Sequence, residues 1–375
     1  MKLKLWLSCA VWFLVVGCGP SVGERLSPPA TEAGGEAVLS APLYYLSGDS
    51  DGDARLWRIE VDAVTQNLVV DCCIRAYAVS PATGQIAYVT DDTILVIDDA
   101  HGGEIVTVDL DQVGYPRELA SALAWSPDGL QLALGGEAGL WFYMLEQGRL
   151  IQMSGAPEGT AFIRPLAYDA WSPDYSTVLV VAHRTVAGVD EAAVMPIVSG
   201  EVRLTSILAG RRFTWSPDSK SFYVSSNFFG KMGILPSLLL VTRDTLEATT
   251  LVASETTQDG LLGRYLEAAQ VGPDGLLYYF YGEGPVDFDR DVVGLSMYRS
   301  KLDGVTDRVL LREVGYTRID EILWAGDMSQ AVVVGAGSAN QDWSGAITIL
   351  PVDRARPATV TPFVGRDLQW GQTGE

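Results

Sequence analysis

The chain has 375 residues, 48% of them hydrophobic and 19% charged, the composition of a packed globular protein long enough for two or three domains or one large all-β unit. Lys+Arg 26 against Asp+Glu 47 leaves a formal net charge of −21, which repels phosphate and sets nucleic acid aside as a partner. Histidine occurs only at His101 and His183, and Cys9, Cys18, Cys72 and Cys73 show no metal-finger spacing, so zinc sites of the usual kinds are excluded.

Met1-Lys2-Leu3-Lys4 is a short basic start, and the apolar run 5–16 is too short to span a ~30 Å hydrocarbon core as a helix. It reads as a secretory signal. The run ends in Leu14-Val15-Val16-Gly17-Cys18, which resembles the bacterial lipoprotein signal, where a small residue precedes the cysteine that receives lipid. The resemblance implies a leader over residues 1–17, lipidation at Cys18, and an exported protein anchored at the periplasmic or cell-surface face of a membrane. The anchor is then lipid, at ~0.8 kcal/mol per buried CH₂ group. Losing the leader also removes Lys2 and Lys4, which leaves the mature chain more acidic still. Residues 19–41 hold Pro20, Pro28, Pro29, Gly34 and Gly35 among Ser, Thr, Ala and Glu, so residues 18–41 read as a lipidated cysteine and a disordered tether.

The next 330 residues are repetitive. Ala124-Trp125-Ser126-Pro127-Asp128-Gly129, Ala170-Trp171-Ser172-Pro173-Asp174-Tyr175 and Thr214-Trp215-Ser216-Pro217-Asp218-Ser219 are close copies of one motif. Looser copies stand at Ala78-Val79-Ser80-Pro81 and Val271-Gly272-Pro273-Asp274-Gly275, and degenerate ones at Leu323-Trp324-Ala325-Gly326-Asp327 and Leu368-Gln369-Trp370-Gly371. Their Trp or Val markers recur at intervals of 44 to 56 residues, the period of a repeat architecture.

Ser-Pro-Asp-Gly suits a type I turn: proline fixes φ at the second position, and serine, aspartate and glycine fill the first, third and fourth. Short runs rich in β-branched or aromatic residues follow each turn, as in 130–134, 177–181, 221–224 and 276–280, and read as buried strands. Further strand-like runs follow at 139–144, 238–241 and 296–299. Four short antiparallel strands per ~45 residues is the arithmetic of a β-propeller blade. The Trp-Ser-Pro-Asp-Gly units resemble the WD-repeat-like propeller repeats of the TolB type, common in bacterial periplasmic and secreted proteins, over residues 41–371. Such a resemblance implies a fold and little about function.

The last copy has no residues after it for three more strands, whereas the runs 43–46, 56–61 and 68–70 have no motif before them. Residues 367–370 are therefore expected to supply the innermost strand of the N-terminal blade, closing the ring and removing an exposed sheet edge. The fold class expected is all-β: a seven-bladed propeller of four-stranded antiparallel blades over residues 42–371, with 372–375 as a tail and six or eight blades as alternatives. The TolB family has six.

Little in the sequence carries chemistry. His101 lies in an expected turn and His183 ends an expected strand, and neither is expected to serve a nucleophile. Cys72 and Cys73 are expected to be reduced and partly buried, because neighbours on a strand point to opposite faces, with a vicinal disulfide in an exported protein as the alternative. Asp49, Asp51 and Asp53, and again Asp287, Asp289 and Asp291, alternate in the manner of a calcium loop but lack its closing glutamate. They read as solvated turns, with calcium as the alternative and no other cofactor expected. Trp125, Trp171, Trp215, Trp324 and Trp370 hold one place per repeat and are expected to pack between blades.

Loops between the second and third strands read as short at 90–93 and 135–139 but long at 183–192, 227–236, 282–294 and 335–344. Equivalent propeller loops emerge on one face, so these four form an expected rim carrying Phe228, Phe229, Lys231, Phe288, Arg290 and Trp343, aromatics beside charges as on binding surfaces. The reading is a lipid-anchored cell-envelope propeller that binds or scaffolds a protein or peptide partner. A polysaccharide- or peptide-active enzyme outside the cytoplasm and a sensor of sugar or calcium are the alternatives.

Overall fold

The computed structural model describes residues 37–48, 54–92, 94–99, 103–110, 122–136, 139–166, 169–209, 212–225, 238–257, 260–285, 294–316, 319–335 and 345–372. All of them belong to one compact unit, Ala33–Glu375. The N-terminal half contains β1 (Leu43–Ser47), β2 (Arg55–Ile59), β3 (Gln66–Val70), β4 (Ile74–Val79), β5 (Ile86–Thr90), β6 (Ile94–Asp98), β7 (Glu104–Asp109), β8 (Leu123–Trp125), β9 (Gln131–Gly136), β10 (Gly139–Met144), β11 (Arg149–Gly155), β12 (Thr160–Pro165), β13 (Thr177–Arg184), β14 (Val189–Pro196) and β15 (Arg203–Leu208). The C-terminal half contains β16 (Arg212–Trp215), β17 (Ser221–Ser225), β18 (Leu238–Thr242), β19 (Ala248–Val252), β20 (Glu255–Thr257), β21 (Gly260–Val271), β22 (Leu277–Pro285), β23 (Leu295–Ser300), β24 (Val309–Tyr316), β25 (Ile319–Trp324), β26 (Gln330–Gly335), β27 (Gly345–Pro351) and β28 (Thr359–Trp370). Among the described residues there is no α-helix, and none is long and apolar enough to cross a membrane.

Every pairing between these strands is antiparallel, and β4–β7 and β16–β19 are each a four-stranded meander. The 12-residue β28 pairs with β27 through its first half (Gly345↔Gly365, Ile349↔Thr359) and with β1 through its second (Leu43↔Trp370, Tyr44↔Gln369). The chain's two ends therefore share a sheet, which satisfies backbone groups that a free edge would leave open. β12 departs from the regular meander. It pairs with the upper part of β13 (Pro165↔Val180) and touches β9 at Ile163↔Gly136. That approach explains Gly135, where a Cβ would stand 2.2 Å from the Arg164 Cα.

The core lies between the faces of successive sheets. Val332, Val334, Ile347 and Ile349 of β26 and β27 pack on Leu43 and Tyr45 of β1, while Tyr44 and Leu56 turn to the other side against Tyr77, Val79 and Tyr88 of the next sheet. Both faces of a strand are thus buried, as their near-continuous apolar runs require. Truncating one such residue to alanine costs about 2–5 kcal/mol.

Two expectations are corrected. Cys72 and Cys73 are joined in a disulfide, with Cα atoms 3.7 Å apart. They lie in the turn between β3 and β4, where Cys73 adopts φ 65°, so the opposite-face rule for strands does not apply to them. The segment 183–192 is not a long loop: β13 and β14 extend through it, pairing His183↔Asp190 and Arg184↔Val189 around the four-residue turn 185–188. Residues 226–237, 286–293 and 336–344, at the other three expected loops, lie outside the described residues.

Candidate functional site

The three close copies of the motif build the same hydrogen-bond set. In the copy at Ser126, the Gly129 N–H donates to the Ser126 carbonyl at 2.9 Å, closing the turn, and the Ser126 hydroxyl donates to the Asp128 carboxylate at 2.6 Å. The Leu130 N–H also donates to Asp128, at 3.0 Å, and the Gln131 N–H donates back to the Ser126 Oγ at 2.9 Å. Ser172 with Asp174 and Ser216 with Asp218 repeat the pattern at 2.7 Å. The fourth position is left-handed in these copies and in the one at Gly272, with φ 73° at Gly129, 60° at Tyr175 and Ser219, and 74° at Gly275. Glycine there is the cheap solution; Tyr175 and Ser219 show that the side-chain network holds the turn without it.

Where the marker is tryptophan, its ring in four copies reaches back to the innermost segment of the preceding copy. Trp125 Nε1 donates to the Ala78 carbonyl at 3.1 Å, Trp171 to Ala124 at 3.1 Å, Trp324 to Ala268 at 2.8 Å and Trp370 to Trp324 at 2.8 Å. Trp215 differs: its Nε1 is buried without a partner among the described residues, and the Ala170 carbonyl accepts the Leu179 N–H instead.

Where the innermost segments converge they enclose a cavity of about 670 Å³, lined by β4, β8, the segment 169–171, β16, β21, β25 and β28. Most of its wall is apolar side chain and backbone. The amide of Gln369 is committed to the wall, accepting the Val79 N–H at 2.8 Å and donating to the Tyr77 carbonyl at 3.0 Å, and Gln372 donates to the Ala82 carbonyl at 2.9 Å. The Tyr77 hydroxyl donates to the Asp367 carbonyl across the same junction of β4 and β28.

Asp169 is the exception in this wall. Because β12 occupies the edge of β13 from Val180 onward, the chain leaves the sheet after Leu166 and rejoins it at the single bridge Trp171↔Val178. Asp169 lies in that break at φ 48°, lining the cavity beside Arg212 and Thr214 of β16. Asp169 is exposed on the cavity side of the wall, although protein surrounds it closely. Burial raises its pKa, and a hydrogen bond from the Thr214 hydroxyl and the charge of Arg212 only partly oppose this. Asp174 behaves oppositely. A burial penalty there is outweighed by hydrogen bonds from Ser176, Ser172 and Arg243, and the carboxyl sits well below the usual range. Arg243 Nη1 meets it at 2.9 Å.

His183 donates or accepts through Nδ1 with Asp190 at 2.7 Å and stacks on Phe162 with ring centroids 4.9 Å apart. Arg164 completes the group, 3.5 Å from Asp190. Neither hydroxyl nor thiol is among these partners. Cys18, His101, the six rim residues Phe228, Phe229, Lys231, Phe288, Arg290 and Trp343, and the acidic sets Asp49, Asp51, Asp53 and Asp287, Asp289, Asp291 lie outside the described residues. Among the described residues no cluster of three or more His, Cys, Asp or Glu could hold a metal.

Sequence reasoning passed over Asp169, although a signal was present. Two residues before the marker, other copies carry Tyr77, Leu123, Phe213, Ile322 and Leu368, all buried; only this copy puts an acid there.

The sequence matches no protein-family model and no curated protein. Solved structures match well. An oligogalacturonate lyase in complex with manganese aligns at TM-score 0.55 and 11% identity, over 85% of this chain and 85% of that one. The oligogalacturonate lyase of Vibrio parahaemolyticus aligns at 0.53 and 10%, again over 85% of each chain. Puromycin hydrolase aligns at 0.56 and 14%, over 89% of this chain but only 55% of its own length. At such identities the likeness shows the fold alone. It is a β-propeller fold, built from four-stranded antiparallel sheets and shared by proteins of unlike activity.

Proposed function

We propose that this chain is a lipid-anchored propeller of the cell envelope, with seven blades closed by β28 on β1, that binds a protein or peptide partner through its central cavity. The observation that carries the binding reading is the cavity itself, about 670 Å³, of the size that small ligands and peptide segments fill, mostly apolar with a few polar groups. Seven inner segments line it, and the pairing of Leu43 with Trp370 supports closure. The run that ends at Cys18 supports export and lipidation, and the long acidic surface disfavours polyanions. The lyase and hydrolase likenesses carry no activity across, because what they share with this chain is backbone architecture.

Two experiments test the proposal. Full-length protein in detergent, melted against a panel of short peptides, is expected to give a saturable upward shift that Gln270→Trp, a bulky residue placed in the cavity wall, removes. Shifts unaffected by Gln270→Trp overturn the cavity reading. Deleting residues 366–375 strips β1 of its partner and is expected to cause aggregation or a fall in Tm of more than about 10 °C. An unchanged Tm overturns closure by β28.

A further inference from the structure

The inference rests on reading the central cavity as the binding site. We propose that Asp169 is its anchoring residue and that the ligand presents a cationic nitrogen, an ammonium or guanidinium group, to that carboxylate.

The first argument is positional. Tyr77, Leu123, Phe213, Ile322 and Leu368 at this register in other copies are buried, whereas Asp169 is exposed to the cavity, so no packing requirement explains an acid there. A residue that departs from the pattern of its repeat without a packing reason, on a cavity wall, is of the kind that concentrates at functional sites.

The second argument is the backbone. The insertion of β12 breaks the innermost segment just where Asp169 lies, and φ 48° turns it into a conformation that aspartate enters more readily than most L-residues. A regular strand, such as β8 with its Leu123↔Leu134 and Trp125↔Leu132 pairs, presents no such group.

The third argument is acceptor capacity and charge. An ionised carboxylate offers about four lone-pair sites, and the Thr214 hydroxyl supplies one donor. The side-chain amides of Gln369 and Gln372 are already committed to the wall. Asp327, also at the cavity, has one carboxylate oxygen taken by the Ser329 N–H at 2.9 Å and adds a second negative charge. Against these two acids stands Arg212, so the cavity attracts cations more than anions. Burial that disfavours the charged carboxylate is offset when a cation arrives, which is the gain a ligand would realise.

The test uses the full chain in detergent and named probes: acetyl-Ala-Lys-Ala-amide and acetyl-Ala-Arg-Ala-amide for side-chain cations, Ala-Ala-Ala-amide for a terminal amine, and acetyl-Ala-Gln-Ala-amide as the neutral control. Calorimetric titration is run on the wild type, Asp169→Asn, Asp169→Glu and Gln270→Trp. At least one cationic probe is expected to bind about tenfold or more tighter than the neutral one, to lose that margin in Asp169→Asn and to keep most of it in Asp169→Glu. Which cationic probe wins separates a chain terminus from a side chain. Equal binding by wild type and Asp169→Asn overturns the role of Asp169, while loss in Gln270→Trp alone leaves the cavity reading standing. Failure of every cationic probe to exceed the neutral one overturns the cationic ligand. Because Asp169→Asn is nearly isosteric, its melting curve shows directly whether lost binding reflects lost folding.

Discussion

Asp169 and Asp174 flank Trp171 in one stretch of six residues, and the fold drives them in opposite directions. Asp174 sits in a turn where two hydroxyls, a backbone N–H and the Arg243 guanidinium all point at it, so its charge stabilises the fold. Asp169 sits in a cavity wall where burial outweighs Thr214 and Arg212, so its charge burdens the fold. The difference teaches that the repeat dictates only the turn; the residues just upstream are free to set the chemistry of the cavity.

The largest effect expected on this contrast comes from the residue between the two. Trp171 packs on Phe142 with ring centroids 5.0 Å apart and donates to the Ala124 carbonyl, so Trp171→Ala is expected to lose about 3–5 kcal/mol in urea unfolding. A loss under 1 kcal/mol would mean that the inner segment is held by the turn alone.

Next comes the inter-sheet hydrogen bond. Trp125→Phe removes a buried donor from the Ala78 carbonyl, whereas Trp215→Phe removes an N–H without a partner among the described residues. The first is expected to cost about 1–3 kcal/mol more than the second, measured by the same denaturation. Equal losses would show that ring volume, not the bond, is what these positions supply.

Asp169→Leu restores the residue type found at Leu123 and Leu368 and is expected to stabilise by no more than about 1 kcal/mol, because Asp169 is exposed to the cavity and solvent screens its charge. Destabilisation would mark Asp169 as structural.

The smallest effects are those of pH, and their signs differ. A depressed carboxyl such as Asp174 contributes stability that is fully present above its unfolded value, near 4, and is lost as pH falls toward the folded value. The advantage of wild type over Asp174→Asn is therefore expected to hold from pH 7 to about 4 and to shrink below it. A raised carboxyl such as Asp169 penalises the fold above its folded value, and the penalty fades as pH falls toward the unfolded one. The advantage of Asp169→Leu is expected to diminish on acidification, before that of Asp174 does. Parallel pH profiles for the two variants would erase the contrast.

Much of the fold was legible in the residues. The runs 139–144, 221–224 and 238–241 are strands because their β-branched and aromatic residues suit a surface buried on both sides, and the turn at Ser126 has the hydrogen bonds its four residues imply. The site was less legible. Asp169 was overlooked since its meaning lies in comparison with Leu123, Phe213 and Ile322 at one register, and the break that presents it depends on where β12 docks. The stretch 183–192 read as a loop because Asp190 and Glu191 look polar, yet they pair as a strand edge whose carboxylates meet His183 and Arg184.

The sequence by itself determined the repeat, the antiparallel strands and the turns, because each rests on residues within a few positions of one another: proline setting φ, hydroxyls and carboxylates closing local hydrogen bonds, apolar runs too short for helices. Only the tertiary structure decided the rest. The bond between Cys72 and Cys73 and the cavity around Asp169 each depend on the direction a backbone takes once distant strands have packed, and no local propensity encodes that direction.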